Sequence, residues 1–507
     1  MTPRTLLLGA FAGLLGTTTV FAQSPLDPAV SIPAAQRPDG LASLDWNGDG
    51  ALDFVATVDN LDRVLFFQNV GGTWTSTQSF LLGAGVSAGS IVAADVDGDG
   101  DADLAVALKD MNTVQVLRND GAGVFTSVGT NAVGLDPVHL ISGDWNGDGM
   151  ADLATANRDG NSLSVLVATG GGSFGAATTQ AANLDPRAIA AGDWNSDGAM
   201  DLAVSCHDSR EVRLFSGNGL GGFSAGTVLS VGGIVRPDGI TSADVDQDGD
   251  ADLLVATTGN GFNFVTTFTN TGGVFGAPLN SATGGLNPSS LAAADMNGDG
   301  FVDVAVTNQD SNALAFMSGD GSGLFAVQAN HATGTRPGTV IAADLDGDGD
   351  RDVLTANRDS NDLSHFTNQS GPAGIVSYCE GGLNSAGTRA TIDTTAGISI
   401  SGGPVILRVL NAVPSQPGIF FYGAGRDATP FGAGTLCVAG PHYRLRPAQT
   451  LSPVGSASHV IDFNSTPAGS GAGMITAGST WNFQFWYRDP AGTAFNLSNG
   501  LELTFQP

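Results

Sequence analysis

Seven short stretches of this chain carry oxygen-bearing side chains at positions 1, 3, 5 and 9, a spacing that can gather ligands around one hard cation. The first holds Asp45, Asn47, Asp49 and Asp53, and the second Asp95, Asp97, Asp99 and Asp103. Next come Asp144, Asn146, Asp148 and Asp152, then Asp193, Asn195, Asp197 and Asp201. The last three are Asp244, Asp246, Asp248 and Asp252; Asp295, Asn297, Asp299 and Asp303; and Asp344, Asp346, Asp348 and Asp352. Position 6 is glycine in every copy, from Gly50 to Gly349, and glycine permits the sharp turn such a loop needs. Asp and Asn side chains also stabilise turns without metal. Seven intact copies nonetheless favour an ion, and oxygen-only donors fit Ca²⁺ while arguing against zinc or copper. Up to seven structural Ca²⁺ are expected, with an extracellular-type affinity of about 10⁻⁴ to 10⁻³ M.

The copies recur every 49 to 51 residues, so each loop belongs to a repeated unit. A unit reads as a short apolar strand after Pro or Gly, the acidic loop, and a strand such as Asp103-Leu104-Ala105-Val106-Ala107. A polar turn, a third strand such as Val114-Gln115-Val116-Leu117, a Gly-rich turn and a fourth strand follow. Phe125, Phe174, Phe223, Phe275 and Phe325 are expected to open the fourth strands. Four strands in about 50 residues is the size of a propeller blade. The seventh unit passes from its third strand into Ser370-Gly371-Pro372-Ala373-Gly374 with no fourth. A lone strand over 29–36 precedes the first unit, so the sequence predicts that it completes the last blade and closes a ring.

The Asp-x-[Asp/Asn]-x-Asp-Gly-x-x-Asp loops, with Phe275-Gly276-Ala277-Pro278 and Phe174-Gly175-Ala176-Ala177 between them, resemble FG-GAP or VCBS-type repeats. Such repeats build the integrin α-subunit propeller and occur in many secreted bacterial proteins. The resemblance covers about residues 29 to 370 and implies a seven-bladed β-propeller with Ca²⁺ on the loops between first and second strands. Positions 1, 3, 5 and 9 would ligate, with a backbone carbonyl at position 7. No inserted adhesion domain is visible, so integrin-style recognition does not carry over.

Composition changes at Ser377: the acidic loops stop, and Tyr378, Tyr422, Tyr443 and Tyr487 are the only tyrosines. Gly418-Ile419-Phe420-Phe421-Tyr422 and Trp481-Asn482-Phe483-Gln484-Phe485 read as strands, and a β-sandwich-like domain is expected over 377–507. Tyr378-Cys379, Leu436-Cys437-Val438 and Phe485-Trp486-Tyr487 resemble C-terminal β-domains of secreted bacterial repeat proteins. The expected fold class is therefore all-β: a signal peptide over 1–22, a propeller over 23–371, a linker over 372–376, and the C-terminal domain.

Arg4, the apolar run Leu6 to Val20 and the small-residue site Val20-Phe21-Ala22 carry the signal-peptide reading. That segment is too short to span a bilayer, and no later apolar run of about 18 residues follows, so a secreted or cell-surface location without a transmembrane span is expected. The formal charge of −30 argues against nucleic acid as partner. About half the acidic residues are candidate ligands, and seven divalent ions would bring the charge to about −16. Cys379 and Cys437 could pair in an oxidising compartment, worth about 4 kcal/mol, and Cys206 reads as a buried thiol.

Trp46, Trp145 and Trp194 stand at loop position 2, where other copies have Val, Met or Leu, so packing between blades is expected rather than sugar stacking. On the rim opposite the loops, turns between second and third strands would gather Arg158, Asp159, His207, Arg210, Arg358 and Asp359. Arg37, Arg187, Arg236 and Arg336 join them from the connections. These groups could bind a glycan or an acidic group, with ordinary solvated turns as the competing reading. No Ser/His/Asp spacing or phosphate loop stands out. The reading is an extracellular binding or adhesion module for glycan or protein ligands. Its alternative is a calcium-dependent carbohydrate-active enzyme such as a polysaccharide lyase.

Overall fold

A strand that is apolar on both faces must be covered on both, and the second strand of every repeat is of this kind. Asp53–Val58, Asp103–Leu108, Asp152–Asn157, Asp201–Cys206, Asp303–Asn308 and Asp352–Asn357 are buried along their whole length. The computed structural model describes residues 24–368 without interruption. Beyond them it describes 375–378, 390–394, 405–431, 434–452, 456–461, 474–476, 479–490, 494–498 and 500–504, with Ser385 and Ala468. The expected signal peptide, residues 372–374 of the expected linker, and Cys379 lie outside the described residues.

Each repeat forms a four-stranded antiparallel sheet, and there are seven such sheets among the described residues. Innermost strands Pro38–Leu44, Ala88–Ala94, Pro137–Gly143, Pro186–Gly192, Arg236–Ala243, Pro288–Ala294 and Pro337–Ala343 contact their neighbours in sequence, and the last returns to the first. The fold is all-β, repeating and propeller-like, with no α-helix among the described residues. Among the described residues no helix is long and apolar enough to cross a membrane.

The core is divided into slabs between adjacent sheets rather than gathered at one centre. One slab joins Trp46, Val55 and Phe66 of the first repeat to Ile91, Leu104 and Phe125 of the second. Another joins Leu41, Phe54 and Phe67 of the first repeat to Leu345, Leu354 and Leu363 of the seventh. The seventh sheet takes its fourth strand from the N-terminal side: Val30–Pro33 pairs antiparallel with Asp362–Phe366, with Ile32 opposite Leu363. Ile32 and Ala34 are buried in the slab between the last sheet and the first. This is the closing arrangement expected from the orphan strand.

The Phe-led fourth strand needs correction in two repeats. Phe174 and Phe275 lie in two-residue strands, Ser173–Phe174 and Val274–Phe275, that pair with Ala168–Gly170 and Asn270–Thr271. The N–H groups of Gly175 and Gly276 close these small hairpins on the carbonyls of Val167 and Thr269. The strands that extend the sheets begin later, at Thr178 and Leu279. Phe125 lies just before its strand, Thr126–Ala132.

In the tail, Ile375–Tyr378, Gly500–Thr504, Thr480–Asp489, Pro417–Gly423 and Tyr443–Arg444 follow one another across a seven-stranded sheet. Thr391–Thr394, Val405–Leu410 and Ala457–Ile461 form a three-stranded one. Ile392, Leu407 and Ile461 share one apolar cluster with Phe420, Tyr422, Phe485 and Leu503 from the larger sheet. Cys437 is disulfide-bonded, and Cys206 is free and buried, its thiol pushed up to about 12 by burial.

Closure makes a test. Ile32→Ala should cost about 2–4 kcal/mol in urea unfolding, as much as Ile91→Ala at an interior slab. A cost near zero at Ile32 would show that the first strand is dispensable.

Candidate functional site

Each acidic loop leaves its first strand, curls, and delivers its ninth residue as the first residue of the second strand. In the first loop Asp45 Oδ1 accepts the N–H of Gly48 at 2.8 Å, and its Oδ2 that of Gly50 at 2.9 Å. The seventh loop repeats this with Asp344, Gly347 and Gly349 at 2.8 and 3.1 Å. Position 6 has φ between 86° and 98° in all seven loops, and no atom crowds a Cβ built at Gly50, so the backbone angle and not space requires glycine there. Position 4 is left-handed too, at Gly48, Gly98, Gly147, Ser196, Gln247, Gly298 and Gly347. The glycine found there in five copies was a visible signal of that second turn.

The ninth-position carboxylate is buried in every repeat. Asp103 accepts the N–H of Val96, at loop position 2, at 3.1 Å, and the N–H of Asn119, past the third strand, at 2.8 Å. Asp152, Asp252, Asp303 and Asp352 make the same two bonds at 2.7 to 3.1 Å. Burial raises Asp53, Asp103, Asp252 and Asp352 to about 6 and Asp303 to about 7, although these N–H donors and neighbouring charges also act on them. Buried or crowded carboxylates are the donor set a hard divalent ion would compensate, and of these Asp97 also has a cation nearby, Arg118 at 3.7 Å. Carboxylate oxygens of Asp95, Asp97 and Asp99 lie within 4.8 Å of one another, as do those of Asp244, Asp246 and Asp248, and of Asp344, Asp346 and Asp348. The other four loops carry Asn at position 3. The amide of Asn47 donates to Asp53 at 2.8 Å, and that of Asn297 to Asp303 at 3.2 Å.

An asparagine not singled out in the sequence connects these loops around the ring. Asn119 Nδ2 donates to the carbonyl of Trp46, in the preceding loop, at 3.1 Å and to that of Ala102 at 3.2 Å. Asn270 reaches Trp194, Asn368 reaches Met296, and Asn69 reaches Leu345 across the closure. Its signal was an Asn 16 to 18 residues after the ninth-position Asp. Trp46, Trp145 and Trp194 are buried, and Trp145 and Trp194 meet Phe223 and Phe275 of the next sheet edge-on at 5.8 and 6.2 Å. They pack between sheets, as expected from their register.

On the opposite rim the expected residues divide. Arg158 and Arg358 line a cavity at the centre of the ring, and Asp159, His207, Arg210 and Asp359 lie outside its lining. Arg158 pairs with Asp136, and Arg358 with Asp39. Arg210 donates to the carbonyl of Gly233 at 2.6 Å, and Asp359 is 4.0 Å from Arg336. His207 Nδ1 lies 3.2 Å from Asp185 and 3.3 Å from Asp208. Arg187 and Arg236 already engage those two carboxylates, so the cluster reads as a charge network. Leu135, Leu184 and Leu286, each two residues before a strand-opening proline, are 56%, 58% and 54% exposed on this rim.

Two expectations follow. Asn119→Ala or Asn69→Ala leaves two carbonyls without their donor and should cost about 1–3 kcal/mol by urea unfolding. Burial also holds His139 and His365 down to about 4, and His365 Nδ1 accepts from Trp74 Nε1 at 3.3 Å. A base whose folded pKa is depressed binds more protons unfolded, so each of these histidines contributes a loss of stability as pH drops from 6.5 toward 4, opposed by the raised ninth-position carboxylates, which take up protons in the folded state over the same range. The difference between proteins isolates the histidine: measured in chelator, the stability of the parent relative to His365→Gln should fall as pH drops through that window.

Six overlapping stretches, 45–106, 95–155, 144–204, 193–255, 244–306 and 295–355, match the family model described as FG-GAP-like repeat, and each begins at position 1 of a loop. The solved structure of BBS1N in complex with ARL6DN, soaked with lead, is similar with a TM-score of 0.50 and 12% identity, over 68% of this chain and 98% of that one. That likeness concerns the fold alone. A protein from Lactobacillus plantarum gives a TM-score of 0.48 and 17% identity over 60% of this chain and 86% of its own. No curated protein matches. With the matched repeats covering more than half of its length, the chain belongs to the FG-GAP-like repeat family.

Proposed function

We propose that the chain is a secreted or cell-surface binding module, a seven-bladed propeller held by up to seven structural Ca²⁺ and followed by a β-sandwich-like domain. Its ligand is an extracellular glycan or protein. The observation that carries this reading is the contrast between the two rims. One rim repeats a single acidic loop seven times. The other opens a central cavity whose charged lining differs from repeat to repeat, from Asp39 and Lys109 to Asp238 and Arg358. A concave site with a few convergent polar and charged groups is where a ligand is held.

Positions 1, 3, 5 and 9 of each loop would hold the ion, whose contribution is positive charge against the crowded carboxylates. The protein's own part is to pre-shape the loop. Position 1 accepts the N–H of position 6, and position 9 ties the loop to the third strand. The role assigned to the ion is stability, which binding to the folded state supplies by mass action.

At ten times the dissociation constant each site contributes about 1.4 kcal/mol. Seven sites should therefore raise the melting temperature by about 10 °C between chelator and saturating Ca²⁺. An unchanged melting curve, with no calcium uptake by calorimetry, would remove the metal from this account. Binding on a glycan array without product formation supports the binding role, and release of unsaturated sugars from a polysaccharide panel would replace it with lyase activity.

A further inference from the structure

We propose that the cavity at the centre of the ring binds a hydroxylated carboxylate, a sugar acid or the terminal uronate of an acidic oligosaccharide, anchored by Arg336. This rests on the binding-module reading and names the ligand chemistry of its channel. The cavity has a volume of about 530 Å³, within the range of small-ligand sites. Its charged lining comes from the proline ends of the innermost strands and the far ends of the second strands, on the rim away from the acidic loops. A register shift at the opening end of each innermost strand, at a proline in six repeats and at Ala88 in the second, marks the place.

Lys109, Arg158, Arg187, Arg336 and Arg358 line it against only Asp39 and Asp238, a surplus of positive charge in a chain whose formal charge is −30. Most of these cations are committed. Arg358 Nε and Lys109 Nζ each donate to Asp39 at 3.0 Å, and Arg187 lies 2.8 Å from Asp185. Arg158 pairs with Asp136. Arg336 is the exception, with its nearest carboxylate, Asp359, at 4.0 Å. Its carbonyl accepts the backbone N–H of Arg358 at 3.2 Å, so the two arginines are neighbours in one repeat. Arg358 is held by Asp39, so Arg336 offers the least engaged guanidinium of the lining, and its planar fork can donate two bonds to a carboxylate.

The remainder of the lining indicates what the carboxylate is attached to. Ser90, Thr241, Ser290 and Thr339 stand on the walls, and no Phe, Tyr or Trp does. Hydroxyl partners are therefore recognised by hydrogen bonds and not by stacking. Asp238 lines the fifth repeat's wall, where burial raises its carboxyl and the charges of Arg187, His207 and Arg358 act against that rise. Its oxygens can exchange a hydrogen bond with a ligand hydroxyl. A sugar acid satisfies both ends.

The test is calorimetry on the full chain in saturating Ca²⁺, with D-glucuronate, a galacturonate trimer, glucose and inorganic phosphate as probes. Glucuronate, the trimer or both should bind at one site per chain, and glucose should not. Arg336→Gln, half-exposed and without a close ion pair, should weaken that binding by about tenfold or more while leaving the melting temperature unchanged. Binding of the monosaccharide identifies free sugar acids as a source, and binding of the trimer alone identifies chain ends. The proposal falls if glucose binds as tightly, if phosphate alone binds, if no probe binds, or if Arg336→Gln leaves the affinity intact. A glycan-array signal that survives Arg336→Gln would preserve the binding module while removing this site.

Discussion

A carboxylate buried at the ninth position of each loop ties the loop to the strands that follow it. Asp103 opens the second strand, accepts the N–H at position 2 of its loop, and accepts the N–H at Asn119 beyond the third strand. Taking a carboxylate out of water is costly, and two backbone donors offset only part of that cost. The raised values at Asp53, Asp103, Asp252, Asp303 and Asp352 are the signature of the remainder. The acidic composition of the chain is thus a local structural demand repeated seven times, and it says little about the charge of any partner.

The residue at position 2 transmits that demand to the ring. In five repeats its N–H is held by the ninth-position Asp, its side chain is buried in every one, and in four its carbonyl receives an Asn from the following sheet. Loop conformation and sheet-to-sheet packing therefore share one residue. Anything that disorders the loop loosens the slab, and the slab is the only place where the buried second strands find cover. Because Asn69 makes this bond to Leu345, the closing junction is built like the interior ones.

The loops were legible in the sequence because their chemistry is local: every candidate ligand, and the glycine that allows the turn, falls within nine residues. The strand order was legible for a similar reason, since a missing fourth strand at one end and a spare strand at the other admit a simple pairing. The Asn clasp was not, because its acceptor is 72 to 76 residues away in three cases and 276 in the fourth. The small hairpins at Phe174 and Phe275 escaped because a Gly-rich turn followed by Phe fits a strand start equally well. On the rim, sequence could gather the turn residues on one face. It could not say that Arg358 would face the cavity while Arg210 would be spent on Gly233, since that depends on the neighbouring connection.

The two rims differ in a way that bears on their roles. Where all seven repeats share one structural task, they keep the same residues: Asp at positions 1, 5 and 9 and Gly at position 6, without exception. At the cavity end the equivalent positions diverge. The residues after the strand-opening position run Asp39, Gly89, Val138, Arg187, Asp238, Ser289 and Gly338. Those at the ends of the second strands run Asp59, Lys109, Arg158, His207, Thr258, Gln309 and Arg358. Backbone pairing alone tolerates any of these, so the fold does not require the variety. A ring of identical repeats offers a ligand seven equivalent faces and can orient none of them. Setting Lys109, Arg158, Arg187, Arg336 and Arg358 against Asp39 and Asp238 at unequal places around the cavity breaks that symmetry, and a broken symmetry is the minimum a channel needs to hold an asymmetric molecule in one pose.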